Sequence, residues 1–306
     1  MLFRSAAALL AAWPKTLMIG TRDWLEKNLL AAQFTDLRCA VRLAQDAPAA
    51  MEMGFSYHGG VMRAMRSLPA ITDGAGYGTI SQNALTVVLE QGRVTPPQGG
   101  VVDMAGSVFR IKDLRQIPGE AEITLRTKSP LSATLSLLDQ KPFLYLQKAG
   151  RPVDFGTGRA ELVTHLAMRL KKVILPNDVA VQVRGNIVDF ASDNLVPKRV
   201  ISAKSLSVAV DNQGLQIAGQ GLLSGVSFDA IYRQKFGPNL GAQVTGTVDL
   251  SDETLRAFGL ALPKGAVTGA GRGDVVIDLA RGRAAKLSLT SDLNRIGLSI
   301  PQIGWA

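Results

Sequence analysis

The sequence has little of what enzyme and nucleic-acid sites are usually built from. Its 306 residues contain one cysteine, Cys39, and two histidines, His58 and His165. A single thiol cannot close an internal disulfide, and a zinc site needs several ligands at short spacing. His58 and His165 lie far apart in sequence, and packing or solvent contact is the expectation for both. There is no G-x-S-x-G elbow and no H-E-x-x-H pair. No catalytic residue, metal ligand or cofactor is therefore assigned, and the chain reads as a non-enzyme.

Aromatic residues make up 6% of the chain, with four Tyr and three Trp scattered along it. That is too few for the aromatic girdles of an outer-membrane barrel. It is also too few for the base-stacking platforms that basic residues flank in single-strand binders. The formal charge is +9, yet no dense basic run exists. Lys171-Lys172 and Arg281-Gly-Arg283 are only pairs, so nucleic acid is excluded as the expected partner.

Long hydrophobic runs are missing too. Residues 1–13, MLFRSAAALLAAW, are too short for a membrane span, which takes about 20 apolar residues. They sit at the lower limit for a signal peptide, and the alternative is a buried segment leading into a helix. Thr21 is placed as the cap of that helix, with Trp24, Leu25 and Leu29 on one side.

What the chain has is period-two alternation. Leu85, Val87 and Leu89 alternate with Ala84, Thr86 and Val88. Ala121, Ile123 and Leu125 alternate with Glu122, Thr124 and Arg126. Val179, Val181 and Val183 alternate with Ala180, Gln182 and Arg184. Leu206, Val208 and Val210 are followed by Leu215 and Ile217, then Phe228. Val275, Ile277 and Leu279 precede Leu287 and Leu289. Alternation gives each strand one apolar and one polar face. Residues 161–170 fit a helix or a strand, and strand is the reading taken here.

Turn chemistry separates these runs. Glu90-Gln-Gly-Arg, Asp211-Asn-Gln-Gly and Ala280-Arg-Gly-Arg read as hairpin loops. Ile71-Thr-Asp-Gly74-Ala-Gly76-Tyr-Gly78 has the wrong spacing for a dinucleotide loop and reads as a turn. Arg272-Gly-Asp274 is read likewise. Two short helices are expected. One is capped by Ser129 with Pro130 at its first position and Leu131, Leu135 and Leu138 on one face. Ser251 opens the other, with Leu255 and Phe258 inward and Gly259 as the stop.

A weak internal repeat spans about 60 residues. Val183-Arg-Gly185, Val188-Asp-Phe190 and Ser192-Asp193 echo Val244-Thr-Gly246, Val248-Asp-Leu250 and Ser251-Asp252. A second echo links Ile217–Gly221, before Phe228-Asp229, to Val267–Gly271, before Ile277-Asp278. Asp189, Asp229, Asp249 and Asp278 are expected to bond turn amides or cap strands and helices.

These residues also carry a family likeness. Trp13-Pro14 followed by Thr21-Arg22-Asp23-Trp24 resembles the hinge of YhdP-like members of the AsmA-like superfamily. So does Phe55-x-Tyr57 followed by Leu68-Pro69-x-Ile71-x-x-Gly74-x-Gly76. Phe258–Pro263 with Gly269 is similar to the family's later repeats, and Leu293 through Ile300-Pro301 to a further strand unit. The resemblance implies an inner-membrane anchor, missing here, and a curved periplasmic sheet with an apolar groove. It implies phospholipid acyl chains and inner- and outer-membrane envelope components as partners. It also implies that the chain is an internal or C-terminal portion of a longer protein.

The expectation is thus a mainly β protein: an elongated, curved antiparallel sheet with a few short helices. Residues 1–34 form a helical lead-in and residues 35–306 the groove repeats. The alternating apolar residues from Leu85 to Leu289 named above, with Phe228 and without Ala121, would line the groove. A periplasmic structural repeat with a closed core is the alternative.

Overall fold

A computed structural model describes residues 11, 19–44, 47–171, 173–237, 240–257, 263, 266–280 and 283–299. The protein is mainly β, with sixteen strands and four short helices among the described residues. Packing divides it into two units. The first comprises residues 1–154 and 159–183, the second residues 155–158 and 184–306.

The first unit opens with α1 (Ile19–Asn28), a short helix in which Thr21 is internal and not the cap. Trp24 is exposed, so the expected apolar side is not buried as a whole. The strands follow: β1 (Leu29–Ala44), β2 (Ala47–Met62), β3 (Ile71–Ser81), β4 (Ala84–Val94), β5 (Val102–Asp103), β6 (Ser107–Ile111), β7 (Glu120–Pro130) and β8 (Thr157–Arg169). Each of β1 to β4 pairs antiparallel with the next, β6 lies between β4 and β7, and β7 pairs with β8. Residues 161–169 are strand, because Leu166 and Met168 face the same way as Ile123 and Ala121 across the ladder.

Three turn expectations fail in an informative way. Ile71–Ser81 is a strand, not a turn. Its glycines stand opposite bulky residues on β2, Gly78 against Phe55 and Gly76 against Tyr57. A Cβ at Gly78 would overlap the Phe55 ring, and one at Gly76 the Val88 carbonyl. Glycine is here the counterpart of an aromatic ring on the neighbouring strand. Glu90-Gln-Gly-Arg lies inside β4. Ala75 pairs with Gln91 and Gly76 with Leu89, which leaves Glu90 as the extra residue of a bulge. The β3–β4 turn is instead Gln82-Asn83, both with positive φ, as a two-residue primed turn requires. Arg272-Gly-Asp274 is also strand interior.

Two helices pack at the end of the first unit: α2 (Leu131–Leu138) and α3 (Tyr145–Ala149). Pro130, not Ser129, is the N-cap of α2, because β7 runs directly into it. The buried residues of α2 are Leu131, Ala133 and Ser136, whereas Leu138 is exposed. Ala133 joins Val94, Val102 and Met104 in a hydrophobic cluster, against which Leu89 and Leu125 pack.

The second unit contains most of β9 (Val179–Val196), then β10 (Arg199–Asp211), β11 (Gly214–Leu223), β12 (Val226–Lys235), β13 (Ala242–Ser251), α4 (Asp252–Ala257), β14 (Val267–Leu279), β15 (Lys286–Thr290) and β16 (Ile296–Leu298). From β10 to β15 each strand pairs antiparallel with its sequence neighbour. Asp211-Asn-Gln-Gly makes the β10–β11 hairpin, with the Asp211 carboxylate accepting from the Gln213 and Gly214 amides at 2.7 and 2.9 Å. Residues 280–285 lie between β14 and β15; Arg281 and Gly282 lie outside the described residues.

The first repeat echo has a local physical counterpart. Ser192 lies two residues after buried Phe190, and Ser251 directly after buried Leu250. Each accepts on Oγ from the amide three residues ahead, Leu195 at 3.0 Å and Thr254 at 3.2 Å. Ser251 thereby caps α4, as expected; Phe258 and Gly259 lie outside the described residues. The second echo does not hold. Ile217–Gly221 and Phe228 lie on successive strands, whereas Val267–Gly271 and Ile277 share β14.

Candidate functional site

The candidate site is the apolar face of each unit's sheet. Directly paired residues of an antiparallel ladder point to the same side. In the second unit this rule links the expected lining residues across six strands. Val208 pairs with Ile217 and Val210 with Leu215. Ile217 pairs with Tyr232, and Phe228 stands opposite Gly221. Tyr232 pairs with Val244 and Phe228 with Val248. Val244 pairs with Ile277, and Leu279 stands opposite Ala242. Ile277 then pairs with Leu287 and Val275 with Leu289. Leu206, two residues before Val208, falls on the same side. Sequence reasoning missed Tyr232, Val244 and Val248. The same alternation through Val244-Thr-Gly-Thr-Val248 could have supplied the last two.

The other side of these strands mixes Ala218, Ile231 and Val276 with polar residues that bond one another. Gln220 donates to Asp229 at 3.0 Å, and Gln243 to Asp278 at 2.8 Å. Arg233 donates to Gln216 at 3.1 Å and to Thr245 at 3.4 Å. Asp229 and Asp278 thus serve cross-strand pairs, not the turn amides expected for them.

That apolar side is incompletely covered. None of the expected lining residues of the second unit is fully buried. Leu279, Leu287 and Leu289 are 36%, 64% and 45% exposed, where a packed core would hold them below a tenth. Some cover is local: Leu206 lies over Gly219, and the Phe228 ring over Gly221. At one end a hollow of about 270 Å³ opens between α4, β13, β14 and the segment after β15, lined by Leu250, Leu255, Val267, Leu289, Leu293 and Ile296 with two serines.

In the first unit, Leu85, Val87 and Leu89 pair with Ile80, Gly78 and Gly76 on one side. On the other they pair with Ile111, Phe109 and Ser107. Phe109 pairs with Ile123, which pairs with Leu166. This face differs at one end, where Leu89 and Leu125 pack on the cluster beneath α2. Val179, Val181 and Val183 are half-buried and alternate with exposed Ala180, Gln182 and Arg184. The Tyr57 hydroxyl shares this side and donates to the Val88 carbonyl at 2.8 Å. Burial, helped by the nearby Glu90 carboxylate, pushes its pKa up to about 12.

No protein-family model, curated protein or solved structure matches the chain.

The polar groups that could carry chemistry are dispersed. His58 shares a hydrogen bond of 3.0 Å with Gln33, and His165 one of 3.1 Å with Thr124. Both are exposed cross-strand pairs. Cys39 is a free, exposed thiol. Among the described residues no three His, Cys, Asp or Glu side chains gather as a metal set would. No helix among them is long and apolar enough to cross a membrane.

Proposed function

We propose that the chain is a non-enzymatic lipid-handling segment whose apolar sheet faces shield phospholipid acyl chains. One observation carries this reading: in the second unit the register gathers apolar side chains from six strands on one side, and leaves that side half-exposed. Such a face gains about 0.8 kcal/mol for each CH₂ it removes from water, so one acyl chain contributes substantially. Basic residues at a rim would meet headgroup phosphates. The AsmA-like resemblance supports the setting, the periplasm of a Gram-negative envelope, with lipid passing between the inner and outer membranes.

A structural repeat with a closed core is the second reading. It is favoured locally by the cluster beneath α2, where Leu89 and Leu125 are covered by the protein's own side chains.

Native mass spectrometry of the purified chain separates the two. The expected result is co-purifying phospholipid, lost in Val208→Asp and Ile277→Asp while both variants stay folded by circular dichroism. Unfolding of both variants, or lipid-free protein throughout, would establish the closed-core reading.

A further inference from the structure

Among the described residues, six aliphatic side chains and two serines line the hollow at the α4 end of the second unit, with no aromatic or charged side chain beside them. Strand β14 passes beneath it. A Cβ at Gly271 would stand 2.8 Å from the Ile296 side chain, and one at Gly273 2.7 and 2.8 Å from those of Leu250 and Leu289. These three side chains therefore lie down over glycine, close to the sheet.

Both serines are already occupied. Ser251 Oγ accepts from the Thr254 amide at 3.2 Å and shares a bond of 3.1 Å with the Thr254 hydroxyl. Ser291 Oγ donates to the Arg272 carbonyl at 2.8 Å and accepts from the Leu293 amide at 3.1 Å. No described side chain of the lining thus has a polar group left for a ligand or a water molecule. An apolar space without polar partners favours hydrocarbon over water. At about 270 Å³ it exceeds the roughly 150 Å³ that suffices for a benzene ring in a buried aliphatic cavity.

We infer that this hollow binds the terminal stretch of a single alkyl chain. The inference rests on the lipid reading of the sheet face and adds an orientation to it. Leu289 belongs to both places, since it also pairs with Val275 on the face. A chain lying along the face can therefore run its methyl end into the hollow. A headgroup cannot take that place, because a phosphate or hydroxyl there would leave water and meet no side-chain partner. The tail end thus points to α4 and the headgroup away from it.

The test is isothermal titration calorimetry of the full chain with hexanol, octanol and decanol, and with the octanediol that carries a hydroxyl at each end. Affinity is expected to rise about fourfold for each added methylene. The diol should bind about tenfold more weakly than octanol, because its second hydroxyl would be buried unpaired. Leu289→Trp, which fills the hollow, should lose octanol while circular dichroism shows it folded; if it does not fold, Leu255→Phe reads the same loss. No octanol bound by the wild-type chain, affinity independent of chain length, a diol that binds as well as octanol, or undiminished binding by folded Leu289→Trp would each overturn the inference. Phospholipid co-purifying with a chain that ignores octanol sinks the hollow alone. Octanol bound by a chain that never carries phospholipid keeps the hollow as an alkyl site and overturns the lipid reading of the face, and the orientation with it.

Discussion

At the scale of single residues, the informative contacts are between glycine and an aromatic ring on the next strand. Phe55 covers Gly78, and Phe228 covers Gly221, where an added Cβ would sit 2.6 Å from the ring. Gly78→Val should therefore destabilise the fold by about 1–3 kcal/mol, despite the high β propensity of valine, because the Phe55 ring must move. Urea denaturation reads this as a lower midpoint at unchanged slope. Tyr57 carries a second prediction. Its folded pKa of about 12 exceeds its ordinary value of 10.0. The folded state therefore holds the phenolic proton where the unfolded chain has lost it. The contribution is complete below about pH 10 and declines as pH rises towards 12. Stability measured against pH should fall less across that window in Tyr57→Phe than in the wild type. At neutral pH the same substitution costs about 1 kcal/mol through the lost bond to Val88.

At the scale of elements, single polar side chains start the short helices. The Asp139 carboxylate accepts from the Leu146 and Gln147 amides at 3.0 and 2.8 Å, and from the Gln147 side chain at 3.1 Å. It thus caps the first turn of α3 from just beyond the end of α2. Asp139→Ala should cost about 1–3 kcal/mol, since those amides are then left without their acceptor. Faster hydrogen exchange confined to residues 139–149 would localise the loss. Ser192 and Ser251 form a matched pair. Ser251→Ala should cost about 1 kcal/mol, the usual value of a helix cap. Ser192→Ala should cost more, because the Ser192 hydroxyl is buried and also donates to the Phe155 carbonyl. Thermal melts of the two variants test that order.

At the scale of the whole molecule, the question is how each unit distributes its apolar surface. The first unit buries Val94, Val102, Met104 and Ala133 together beneath a helix. The second leaves most of its apolar sheet face half-open. Met104→Ala should cost about 2–5 kcal/mol as a cavity-forming change, whereas Leu287→Ala should cost under about 0.5 kcal/mol. Chemical denaturation of the pair tests whether the Leu287 face is open in solution. If both variants lose several kcal/mol, that face is packed.

The sequence by itself determined the class of fold and the two-sidedness of the strands. Alternation such as Leu206-Ser-Val208-Ala-Val210 has one physical outcome in an antiparallel ladder, and it located residues that share one face of the sheet, such as Val208 with Ile217 and Val275 with Leu289. It also located the Asp211 hairpin and the Ser251 cap, since both depend on atoms within three residues. Tertiary structure alone decided what depends on a distant partner. Gly76 and Gly78 resemble a turn until Tyr57 and Phe55 are set opposite them. Gln91-Gly92 resembles a hairpin until Glu90 is found to be the residue in excess of β3. Whether a half-apolar strand ends beneath α2 or beside solvent is likewise fixed by register and by the placement of helices. Local pattern carries no information on either, because both arise from contacts between residues far apart along the chain.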